Sequence, residues 1–153
     1  MQHAYIQHPY IKARTLRGGD SMGTALEMSK KSMEMSEAKD REGWLALFAD
    51  DAVVEDPVGP SFFDADGKGQ RGKAAITAFY DNVISQSESL KFTIRQSIEC
   101  GDEVANIGEI RITLPGNQVG IVQIANIYKV NADGKLVSLR SFWEQDKLKF
   151  TAG

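Results

Sequence analysis

The sequence predicts an α+β domain in which three helices are followed by a long antiparallel meander. Two observations carry this. Apolar residues recur at helical spacing in three blocks up to residue 84, and from residue 90 the period changes from 3.6 to 2. Turn-forming residues then fall at regular intervals, at Gly101-Asp102, Pro115-Gly116-Asn117 and Ala132-Asp133-Gly134. Helices that precede a run of strands pack on one face of a sheet.

Residues 1–21 carry Lys12, Arg14 and Arg17 against Asp20, a charge of +2 that leaves -5 on the remainder of a chain with net charge -3. With Gly18-Gly19 ahead of Met22 they read as a flexible N-terminal tail, followed by a single domain over 22–153. Ala25, Met28, Ser32 and Met35 place a first amphipathic helix over 24–38, with Ser32 in its buried stripe. Asp40 is a suitable N-cap for a second helix through Trp44, Leu45, Leu47 and Phe48. A short strand then runs into Pro57, which holds Asp56 extended and leaves its carboxylate at a rim. After a loop over 59–72, rich in Gly and Asp, a third helix over 73–84 turns Phe79 and Tyr80 inward. Four strands follow at 90–100, 102–114, 118–130 and 135–149. The third is apolar in both phases, with Val122, Ile124 and Tyr128 on one face and Val119, Ile121 and Ile127 on the other. Both faces need cover, so one should meet the helices and a pocket and the other a second copy of the chain, giving a homodimer.

Composition removes several functions. An acidic chain is a poor partner for nucleic acid or an anionic membrane, and no apolar run suits a membrane span. One cysteine, Cys100, allows neither an intrachain disulfide nor a cysteine-built zinc site, and a cytoplasmic setting is expected. His3 and His8 are the only imidazoles, so proton chemistry in the domain falls to carboxylates, tyrosines and lysines. No glycine loop that would cradle a phosphate joins a strand to a helix, and no cofactor is expected. Asp64-Ala65-Asp66-Gly67 lacks the spacing of a calcium loop.

The segment LFADDAVVEDPVG at 47–59, with Ala78-Phe79-Tyr80 and Phe142-Trp143, resembles the ketosteroid isomerases and the wider nuclear-transport-factor-2-like, SnoaL-like superfamily. The resemblance extends over residues 24–149. It implies a cone-shaped, curled sheet that encloses an apolar pocket with the three helices. It also implies that Asp56 shuttles a proton between two carbons next to a carbonyl group, a task that needs a carboxylate of raised basicity shielded from water. The family's oxyanion hole is a tyrosine and a protonated aspartic acid. By position these fall on Ser32 and Asn126, so the chain departs from the pattern at both. Asn126 is still a donor, Ser32 is much shorter than a tyrosine, and Tyr80 matches a supporting tyrosine that could turn inward. Phe48, Val58, Phe79, Trp143 and Tyr128 are the expected walls.

Losing one oxyanion donor typically costs about 10²–10³ in turnover. The resemblance therefore implies a slow, cofactor-independent isomerase acting on a steroid or similar flat apolar ketone. Two alternatives stay open: a non-catalytic module that binds such a ligand, and another reaction of the superfamily such as ring closure.

Overall fold

The computed structural model describes residues 23–153; the expected tail lies outside these. Helix α1 (Ala25–Ala38) starts in a capping box, with the Thr24 hydroxyl accepting from Glu27 N and the Glu27 carboxylate from Thr24 N. It ends at Lys39, whose φ of 58° is left-handed. Asp40 caps α2 (Arg41–Ala46) through Gly43 N at 2.9 Å. Next come β1 (Phe48–Glu55), a two-residue β2 (Gln70–Arg71), α3 (Gly72–Asn82) and a 3-10 turn at Ile84–Gln86. The meander is β3 (Ser89–Cys100), β4 (Glu103–Leu114), β5 (Gln118–Val130) and β6 (Leu136–Phe142); a second 3-10 turn at Gln145–Lys147 leads to β7 (Thr151–Ala152).

The strands form one sheet in the order β2-β1-β6-β5-β4-β3, with β7 also pairing with β5. The sheet is mixed, because β1 runs parallel to β6 while every other pairing is antiparallel. This differs from a purely antiparallel meander. No turn joins β1 to β6, and their direction follows from the path of the chain through the helices. Two other differences are local. Phe48 opens β1 and does not close α2, and the expected last strand breaks after Phe142. Register shifts in β1–β6, β3–β4 and β5–β6 bend the strands and help curl the sheet around the helices.

Alternation sets the concave face. On β5, Val122, Ile124, Asn126, Tyr128 and Val130 are buried, while Ile121 and Gln123 are exposed. Trp44, Phe48, Ala52, Val54, Ile76, Tyr80 and Leu136 form the centre of the core. A polar chain that runs inward from the exposed Ser97 to the buried Asn106 and Ser29 anchors α1 to the sheet. Ser97 Oγ donates to Asn106 Oδ1 at 2.6 Å, Asn106 Nδ2 donates to Ser29 Oγ at 3.0 Å, and Ser29 Oγ donates to Leu26 O at 2.9 Å. Burying these groups is tolerable because each is paired. Among the described residues no helix is long and apolar enough to cross a membrane.

Candidate active site

Between the helices and the concave face lies a cavity of about 330 Å³, within the range of small-molecule sites. Aliphatic and aromatic side chains make up most of its wall, among them Phe63, Phe79, Leu90, Phe92, Ile110 and Val122.

Asp56 stands on this wall. It continues the inward face of Ala52 and Val54 one residue beyond the end of β1, where the chain turns at Pro57. Trp143 Nε1 donates to Asp56 Oδ1 at 2.6 Å, and Val58 N donates to Ser141 O at 2.9 Å, so the loop after the carboxylate is fastened to β6. Asp56 is partly buried and lines the cavity. Burial pushes its pKa above the ordinary value of 3.8, and the hydrogen bond from Trp143, with Ser141 nearby, offsets this only in part.

Asn126, Ser32 and Tyr128 share the cavity with it. Ser141 Oγ donates to Asn126 Oδ1 at 2.6 Å, and among the described residues nothing accepts from the Nδ2 protons of Asn126. The single Ser141 proton serves one acceptor at a time, and the short contact gives it to Asn126 while Asp56 keeps the bond from Trp143. Ser32 Oγ accepts from Trp44 Nε1 at 3.0 Å and, more loosely, from Tyr128 Oη at 3.4 Å. Its own proton remains available. Burial, together with the charge of Asp56, raises the Tyr128 pKa, opposed in part by the bond to Ser32, so the phenol stays protonated and able to donate.

Three expected residues do not reach the cavity. Phe48 packs on Trp44 with ring centroids 4.6 Å apart, in the core behind it. Tyr80 packs on the same indole at 5.4 Å, and its hydroxyl is buried without a hydrogen-bond partner among the described residues. Phe79 lines the cavity, and the next residue on α3 turns by about 100° toward α2, which takes Tyr80 away from the ligand space. Val58 lies in a groove on the outer side of the sheet with Ile121, Phe142 and Lys147. Phe79, Trp143 and Tyr128 do line the cavity.

Trp44, Ser141 and Phe63 belong to the site and were not expected there. The alternation Leu139, Ser141, Trp143 signals Ser141 in retrospect, whereas Phe63 sits in a loop with no periodic signal. Asp64 spends both carboxylate oxygens on its own loop, accepting from Gly67 N and Gly69 N at 3.0 and 2.6 Å. No group of metal-binding side chains occurs among the described residues.

Residues 30–139 match the model of the SnoaL-like domain. The steroid Delta-isomerase of Nocardioides simplex is 31% identical over 99 residues, 64% of this chain and 72% of that protein. The Δ5-3-ketosteroid isomerase of a Mycobacterium species superposes with a TM-score of 0.78 at 39% identity, covering 83% of this chain and 98% of that one. A Mycobacterium tuberculosis protein solved in complex with estradiol-17β-hemisuccinate gives a TM-score of 0.77 at 38% identity, covering 82% and 98%. With the matched segment spanning most of the domain and the same helices closing the same curled sheet, the chain belongs to the SnoaL-like, nuclear-transport-factor-2-like family and has the fold of its ketosteroid isomerase members.

Proposed function

We propose that the protein is a cofactor-independent isomerase that moves a proton next to the carbonyl of a steroid or similarly flat apolar ketone. The observation that carries this reading is a single carboxylate of raised basicity, Asp56, held by Trp143 on the wall of a largely apolar cavity that also contains Asn126 and Tyr128. Asp56 takes the proton from the carbon between the carbonyl and the isolated double bond. The electron pair passes into a dienolate, and Asp56 returns the proton to the far carbon of the former alkene to give the conjugated enone. Developing charge on the oxygen is met by Asn126 Nδ2–H and the Tyr128 phenol, which turns its one proton from the loose contact with Ser32, with the Ser32 hydroxyl beside them. Tyr128 thus supplies from β5 the phenol that α1 lacks. The similarity to steroid isomerases, and to a protein solved with a steroid ligand, supports the substrate class. The apolar outer face, with Ile98, Ile121 and Phe142 exposed, supports a homodimer in this reading.

Incubation with a 3-keto-5-ene steroid, followed by absorbance of the conjugated enone, tests the proposal. Turnover is expected for the wild type, with Asp56→Asn slower by about 10²–10⁴. Turnover equal in both would remove Asp56 from the mechanism. Saturable binding without any turnover would leave a ligand-binding module.

A further inference from the structure

The end of the cavity away from Ser32 is also polar, with Ser87 on its wall and a cation, Lys39, behind Ser87. Lys39, at the C-terminus of α1, donates from Nζ to Ile84 O at 2.7 Å and to Ser87 Oγ at 2.5 Å. Among the described residues no carboxylate lies within 4.0 Å of it. The adjacent acid, Glu37, is committed to Phe92 N at 2.7 Å and Lys91 Nζ at 3.0 Å. Burial lowers the Lys39 pKa with no anion to counter it. Ser87, 8% exposed, lies on the cavity wall in front of this ammonium group. Its hydroxyl donates to Ile84 O at 3.0 Å, and that carbonyl also receives Lys39, so Ser87 can release its proton to a ligand without orphaning the acceptor.

Ser32 and Lys39 mark the two ends along α1. Ser32 and Lys39 are seven residues apart on α1, about 10 Å along the axis. The β3–β4 side of the wall is apolar, with Leu90, Phe92, Ile110 and Ile112, and Ser36 on α1 spends its hydroxyl on Ser32 O at 2.9 Å. The two ends of the cavity also match positions far apart on β4. Asn126 pairs with Asn106, whereas Glu88, next to Ser87, donates its N–H to Thr113 O.

We infer that Ser87, backed by Lys39, forms a second binding subsite that takes a carboxylate at the end of the ligand away from its reacting carbonyl. This rests on the reading of the Asp56 end as a ketone site, and it narrows the substrate class to acidic ketones of steroid size. An unpaired cation behind a hydroxyl strengthens that hydroxyl as a donor, and the apolar wall limits screening by water.

Three probes test it: a phenolic steroid with an apolar far end, its analogue bearing a short-chain carboxylic acid there, and the methyl ester of that acid. Affinities are read from quenching of Trp44 and Trp143, both on the cavity wall. The acid is expected to bind the wild type about tenfold tighter than the ester. The preference should persist in Lys39→Arg, shrink to within about twofold in Lys39→Met, and fall in Ser87→Ala, which leaves Lys39 bonded to Ile84 O; the parent steroid should bind all four proteins alike. Equal binding of acid and ester to the wild type, or a preference that survives in folded Lys39→Met, would overturn the subsite and leave the ketone reading intact. If none of the three probes binds the wild type, both readings fall.

Discussion

Trp143 Nε1 lies 2.6 Å from Asp56 Oδ1 and joins the end of the last long strand to the residue just past the first. These residues are 87 positions apart, and the bond fixes the carboxylate where β1 and β6, running in parallel, bring both to the same end of the cavity. A base held by one indole donor in a buried site stays more basic than an aspartate in water, because one hydrogen bond does not replace a hydration shell.

The pH dependence follows from this. Asp56 must be ionised to accept a proton, and burial raises its pKa, so kcat/KM should fall on acidification at a pH above the ordinary 3.8. Stability carries the opposite sign. A carboxyl group whose folded pKa is raised contributes stability that is fully present below its unfolded value and lost as pH rises through the folded value. Asp56→Asn should therefore have a higher melting temperature than wild type at pH 8, with the difference shrinking toward pH 3.5. Thermal melts across this range check the sign.

Tyr128→Phe removes the phenol and leaves the ring. If Tyr128 shares the oxyanion, kcat should fall by about 10²–10³ with KM changed only a few-fold. Steady-state kinetics on the enone assay separates this from a packing role, which would move KM and melting temperature instead.

Tyr80→Phe tests a hydroxyl that is buried and unpartnered behind Trp44. Removing an unsatisfied polar atom should leave turnover unchanged and stability equal or higher, by up to about 1–3 kcal/mol. Urea melts and the enone assay together decide it, since a Tyr80 acting on the ligand would cost turnover.

Phe48→Ala and Phe63→Ala should part in the same way. Phe48 is 2% exposed in the core, and truncation should cost about 3–5 kcal/mol. Phe63 is 41% exposed and lines the cavity, so its loss should raise KM with little change in stability. Denaturant melts and KM values measured on both variants make the contrast.

Gly120→Val examines the C-terminal segment. A Cβ at Gly120 would meet Leu148 Cδ1 at 2.8 Å and Phe150 Cε1 at 2.9 Å, and both of those side chains line the cavity. A bulkier residue should displace them and weaken ligand binding several-fold while the fold persists, as fluorescence titration and circular dichroism would show.

The sequence by itself determined the three helices and the long strands of the meander, though not the short β2 and β7 or the break after Phe142, because apolar period, the Asp40 cap and the turns at Gly101, Gly116 and Gly134 are local signals that each segment carries in its own residues. The resemblance to the ketosteroid isomerases implied Asp56, Asn126, Phe79, Tyr128 and Trp143 as site residues, and all five line one cavity. Only the tertiary structure decided what lies one layer further in. Phe48, Phe79 and Tyr80 are all apolar residues that turn inward, but which of them meets a ligand and which meets Trp44 depends on how α2, α3 and β1 sit against each other, and periodicity is blind to that. The parallel pairing of β1 with β6 and the contact of Lys39 with Ser87 are likewise invisible locally, because each joins residues more than forty positions apart that no turn or cap connects. Chain direction and packing, which act through the whole molecule at once, settled those.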